Sequence, residues 1–162
     1  MGKYYTIQSI EGWKEAQRIG YLVGNPDYVW DDFSDPYQWM MRQMNKRILS
    51  YEGEYPIWVW TERQDLRRSG YFKSGIRGVQ LELNIPDEKV LLSDFNAWHF
   101  VLNNDSLLID DEENISKEES WERIFDFDFL VNQLEWGDID PQGVTGKVLL
   151  SDIKLIKEFT SR

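Results

Sequence analysis

The chain has no cysteine and one histidine, His99, in 162 residues. The first absence excludes disulfides, thiolate catalysis and any cysteine-based zinc site. The second rules out a histidine-rich metal centre. No window approaches the ~20 apolar residues that a membrane helix needs. The opening MGKYYTIQSIEGW has no apolar run of the signal-peptide kind. These absences read as a soluble, cytoplasmic chain with no membrane contact. The acidic run Asp110-Asp111-Glu112-Glu113 lacks the Asp-x-Asp-x-Asp-Gly spacing of a calcium loop, so a solvated loop is expected there and no metal. Low-complexity linkers are also missing, so residues 1–162 are read as a single domain.

Aromatic residues are plentiful: eight Trp, eight Tyr and eight Phe. Such side chains fill the space between a small sheet and its helices, and they line pockets for flat ligands. Charge is unevenly placed. Residues 1–80 carry 11 basic and 10 acidic side chains, whereas residues 81–162 carry 7 and 19. A net charge of −11 argues against nucleic-acid binding, because phosphate contacts need Lys and Arg. It suits an acidic interaction module, of the immunity or anti-defence inhibitor type, in which residues 105–128 cover a basic protein partner. A local basic stretch, Glu62 to Gly78, holds Arg63, Arg67, Arg68, Lys73 and Arg77 against two acids.

Periodicity sets the elements. YYTIQ, Tyr4 to Gln8, reads as a strand. Ser9 then caps a helix from about Glu11 to Ile19 that stops at Gly20. Asp35-Pro36 is expected to open a second helix, with an acid at the cap and proline at the first helical position. Tyr37, Met40, Met41, Met44 and Ile48 make its apolar stripe. Pro56 to Trp60 is a strand, Thr61 to Gly78 a long loop, and Val79 to Ile85 a half-buried strand. Lys89 to Leu92 reads as a strand, Ser93 as a helix cap and Phe95 to Leu102 as a helix. Ser116-x-x-Glu119 is a capping box for a helix to about Phe125. Val144 to Leu149 and Ile153 to Phe159 are the closing strands. KVLLSD occurs at both Lys89–Asp94 and Lys147–Asp152. This order lacks βαβ alternation. It predicts an α+β domain whose mostly antiparallel sheet, open to being split, is flanked by short helices.

Candidate ligand residues follow from chemistry and placement. Trp60 ends a strand where its ring can line a pocket. Asp65 and Arg67 sit in the loop beyond, and a guanidinium suits bidentate contact with phosphate or carboxylate. Local pairing of Arg67 and Arg68 with the acidic segment 105–128 is the competing expectation. Trp98 shares a helix face with Phe95 and Leu102, and His99 pairs with Asn103 at i, i+4 on its edge. With no nucleophile-elbow glycines near Ser93 and no triad partner, His99 is read as structural, or as orienting a ligand held by Trp60 and Arg67.

YTIQ with a Trp-bearing helix, the Tyr37-Trp39-Met40 helix, YPIWVW, DLR, VLLSDFNAWHFVLN and SWERIF together resemble the bacterial domain-of-unknown-function family numbered 3841. The similarity spans nearly the whole chain and implies no activity. The order of a short strand, a helix with Trp13 and Ala16, Gly20-Tyr21-Leu22 and a closing VLLSDIKLI is similar to ADP-ribosyltransferase-like domains. That resemblance implies an NAD cleft in a split sheet, with a His or Arg on the first strand and a late Glu. Here the first strand offers Thr6 and Gln8, and the late position offers Gln142. Without the acid, an oxocarbenium-like transition state loses charge stabilisation. Fold and pocket are thus what the resemblance carries. The expectation is a cleft that binds NAD or another nucleotide-like molecule, with ADP-ribosyl transfer as its enzymatic version.

Overall fold

A computed structural model describes residues 1–108, 114–133 and 136–162. The acidic run 110–113 lies outside the described residues. Six strands form one open sheet: β1 (Gly2–Ser9), β3 (Ile57–Trp60), β4 (Arg77–Ile85), β5 (Leu91–Asp94), β6 (Pro141–Thr145) and β8 (Ile153–Thr160). Their spatial order is β5-β6-β3-β1-β4-β8, and every pairing is antiparallel. Strands β2 (Tyr21–Leu22) and β7 (Val148–Leu149) make a separate antiparallel ribbon. The α+β architecture with an antiparallel sheet and short helices is the one the sequence predicts.

Helices cover both faces of the sheet. Helix α1 (Ile10–Ile19) begins at Ser9, whose side chain accepts the Gly12 N–H, and ends at Gly20 with φ 91°. Only a residue tolerant of the left-handed region closes a helix this way. Its Ile10, Trp13 and Ala16 pack on Tyr4, Val59, Val79, Leu81 and Leu83 of one sheet face. The opposite face carries α2 (Ser34–Arg47), α3 (Phe95–Leu102), α4 (Lys117–Trp121) and α5 (Phe127–Val131). There Trp39, Met40, Met44, Trp98, Trp121, Ile124 and Leu130 form a second core with Val144. A sheet apolar on both faces needs a helical layer on each, and this one has both.

Several boundaries differ from the expectation: the strand expected from Val144 to Leu149 is divided between β6, which ends at Thr145 in the large sheet, and β7, which begins at Val148 in the ribbon. Helix α2 starts at Ser34, after a 3-10 turn at Asp31–Phe33, and Asp35 lies in its first turn rather than at the cap. Pro36 is accommodated there because an N–H in the first turn has no helical partner to lose. The buried side of α2 comprises Pro36, Trp39, Met40, Gln43 and Met44, whereas Met41 is only half-buried. Strand β5 runs from Leu91 to Asp94, so Ser93 is a strand residue and Asp94 is the cap. Ser116 caps α4, its Oγ accepting the Glu119 N–H at 3.1 Å and its hydroxyl donating to the Glu119 carboxylate, but the helix ends at Trp121 and a 3-10 turn continues to Phe125. No helix among the described residues is long and apolar enough to cross a membrane.

Candidate functional site

The helix-rich face of the sheet is left uncovered over part of β1 and β3. Loop 61–76 reaches over this region. Gln64 Nε2 donates to Tyr5 O at 3.4 Å, and Gln80 Nε2 donates to Gln64 O at 2.9 Å. Tyr71 and Phe72 pack on Phe159 of β8, with centroids 6.1 and 6.3 Å away. Gly78 permits this: a Cβ there would lie 2.6 Å from the Phe72 ring. On the other side, residues 24–29 come close to the chain leading into β3, with Gly24 N donating to Tyr55 O at 3.2 Å. A Cβ on Gly24 would sit 2.3 Å from Pro56 O, so only glycine fits that approach.

Between these two loops lies a cleft of about 1010 Å³. Its floor is Ile7, Trp58 and Trp60, and its far end is Phe95, Ile139, Asp140 and Pro141. Tyr28, Tyr37 and Tyr55 line one side, while Glu62, Arg63, Asp65, Arg68 and Tyr71 line the other. The floor is braced from below. Trp58 Nε1 donates to Tyr37 Oη at 2.9 Å, and Trp58 packs on Trp98 with centroids 5.1 Å apart. Burial raises the Tyr37 pKa. Thr6 donates its hydroxyl to Trp58 O at 2.7 Å, and Gln8 Nε2 donates to Thr6 Oγ1 at 2.9 Å. The first bond ties β1 to the floor strand β3, and the second, within β1, orients the Thr6 hydroxyl.

Of the residues singled out in the sequence, Gln8, Trp60 and Asp65 line this cleft. Trp98 is 4% exposed and belongs to the core beneath it. Arg67 is not among the lining residues. Its side chain is 82% exposed and forks onto Asp65, Nε to Oδ1 at 3.0 Å and Nη2 to Oδ2 at 2.9 Å. The hydrogen bonds from Arg67 hold the Asp65 carboxyl at a pKa of about 2. The pairing of Arg67 with segment 105–128 is therefore replaced by a local ion pair. Acidic Glu122 is met instead by Lys46 and Arg47 of α2, at 3.1 and 3.2 Å. The guanidinium groups at the cleft are those of Arg63 and Arg68.

His99 and Asn103 lie on the exposed side of α3, outside the cleft lining. The His99 Nδ1–H donates to Phe95 O at 2.8 Å, and the imidazole meets the Phe95 ring edge-on at 4.6 Å. Gln142 is 2% exposed and sits in β6, in register with Trp60. Asp94 is the residue that sequence reasoning missed. It is fully buried, and its carboxylate accepts three N–H groups: Ala97 N at 3.0 Å, Trp136 Nε1 at 3.1 Å and Asp140 N at 2.9 Å. It caps α3 and fixes segment 136–140, and Ile139 and Asp140 of that segment close the end of the cleft. The visible signal was an Asp directly before an apolar helix. Among the described residues, no cluster of three or more Asp, Glu, His or Cys side chains is placed to hold a metal ion.

No curated protein and no solved structure matches the chain. A family described as a domain of unknown function (DUF3841) matches residues 3–118, which include β1 to β5, α1 to α3 and most of the cleft-lining residues. Over more than half its length, then, this chain is a member of the DUF3841 family.

Proposed function

We propose that the chain binds a nucleotide-like small molecule in this cleft. The observation that carries the reading is the pairing of an indole floor, Trp58 and Trp60, with guanidinium groups on one wall, Arg63 and Arg68. An aromatic floor stacks a planar base. A guanidinium meets phosphate bidentately. The cleft volume of about 1010 Å³ suits a ligand of mononucleotide to dinucleotide size. NAD is the dinucleotide to try first, and ADP-ribosyl transfer to an acceptor is the enzymatic form of the proposal. Glu62 and Asp140 are the lining carboxylates available to a ribose hydroxyl or a developing positive charge.

Calorimetric titration with NAD, ADP and ATP tests the reading, with nicotinamide release from NAD followed in parallel. Binding is expected, and Arg68→Ala should weaken it about tenfold, the value of one well-placed charge-assisted contact. Absence of binding to every nucleotide would sink the proposal. Binding without nicotinamide release would leave a ligand-binding module in place of a transferase.

A further inference from the structure

One row of side chains crosses the cleft face of the sheet: Ser93 of β5, Gln142 of β6 and Trp60 of β3, each the register partner of the next. Register partners in antiparallel strands project to the same face. Ser93 is fully buried and Gln142 nearly so. Ser93 Oγ and Gln142 Nε2 nevertheless have no hydrogen-bond partner among the described residues. Two orphaned polar atoms side by side are costly, and apolar side chains of similar shape would avoid that cost. The pair adjoins the end of the cleft. Trp60 flanks Gln142 in the row, Pro141 precedes it and Phe95 follows Ser93 by two positions, and all three line the cleft. Ser93 and Gln142 do not themselves line the cleft, so the half-buried Trp60 and Phe95 must turn for a ligand to reach them.

We infer that Gln142 and Ser93 recognise the carbonyl-bearing edge of a planar ring that enters beside Trp60. Gln142 Nε2 donates to the ring carbonyl or carboxamide oxygen. Ser93, with one O–H and two lone pairs, takes the adjacent ring or carboxamide N–H, or a second oxygen. Trp60 stacks on the ring face. Uracil, guanine and a pyridine carboxamide have this chemistry; adenine presents a ring nitrogen and an amine but no carbonyl. A site built to bond a polar edge rejects analogues that lack it, because its own buried groups then stay unpaired. The inference rests on the nucleotide-like reading of the cleft and specifies which ring it selects.

The experiment titrates UMP, GMP, nicotinamide mononucleotide and AMP into wild type, Gln142→Met and Ser93→Ala, with thermal melting of each ligand-free protein alongside. Wild type should prefer at least one carbonyl-bearing nucleotide over AMP by tenfold or more. Gln142→Met should melt at or above the wild-type temperature and lose that preference while binding AMP as before. Ser93→Ala, a smaller change, should weaken the preference in the same direction and serves if Gln142→Met does not fold. Equal wild-type affinity for AMP, or a folded variant of either kind that keeps the full preference, overturns the inference. If wild type binds none of the four while NAD, ADP or ATP binds, the inference is overturned; if none of the seven binds, the cleft reading itself has failed.

Discussion

Asp94 shows how one side chain links local structure to the site. A buried carboxyl group is tolerated only when its lone pairs are filled, and here three N–H groups fill them. One of these bonds is the helix cap, and two are long-range tethers to the end wall of the cleft. Asp94→Ala should therefore cost about 2–4 kcal/mol, from the lost cap and the N–H groups left unpaired. Urea unfolding measures this, and a loss under ~0.5 kcal/mol would contradict the assignment. The cap itself was within reach of sequence reasoning, which fixed on Ser93, one position too early. The tethers were not, because Trp136 and Asp140 lie 42 and 46 residues away along the chain. Arg67 has the converse history. Its residue type suits an anion, but a carboxylate two positions away captures it.

Among elements, the hexapeptide KVLLSD is the clearest case of context overriding sequence. At residues 89–94 its last four residues form edge strand β5, pairing with β6 from Leu91 to Asp94. At residues 147–152 the same letters give the two-residue strand β7 and then a 3-10 turn at Leu150–Asp152. What differs is the neighbour: β6 offers four residues of ladder, whereas the short β2 offers two. The long loop 61–76 depends on tertiary contact in the same way. Gly78 brings the Phe72 ring onto the sheet, so Gly78→Ala should push that ring outward and cost about 1–3 kcal/mol by overpacking. Hydrogen exchange should rise at Phe72 N, which donates to Ser161 Oγ at 3.2 Å, and at Gly75 N, which donates to Ser161 O. Unchanged exchange at both would show that the loop is held by other means.

At the scale of the molecule, two apolar clusters share one sheet, and the titration of Tyr4 and Tyr51 reports on the stability of the whole. Burial, reinforced by the Asp87 hydrogen bond, pushes the Tyr4 phenol up to about 12. Burial and the nearby Glu54 carboxylate push Tyr51 up to about 12. Unfolded tyrosines ionise near ~10. Between the two values the folded chain holds protons that the unfolded chain has released, so stability falls as pH rises. The tyrosine contribution is complete below pH ~10 and is lost on approaching about 12. Urea midpoints from pH ~9 to ~12 should decline, and the decline should be shallower in Tyr4→Phe. An identical slope in that variant would remove Tyr4 from the account.

The sequence by itself determined the class of the fold and most of its segments. Periods of 2 and 3.6, the Ser9 and Ser116 caps and the Gly20 stop are local properties that each segment carries wherever it packs. Absence of cysteine and scarcity of histidine exclude thiol and disulfide chemistry and a histidine-rich metal centre. Tertiary structure alone decided which side chains meet. It placed Trp98 in the core and Trp60 at the cleft, and it left His99 on an exposed helix face. It chose Arg63 and Arg68 over Arg67 for the cleft, and it set Gln142 beside Ser93 with Gln142 Nε2 and Ser93 Oγ unpartnered among the described residues. The reason is physical: strand order and register bring together residues tens of positions apart, and a one-residue slip in register would send Trp60, Gln142 or Ser93 to the opposite face.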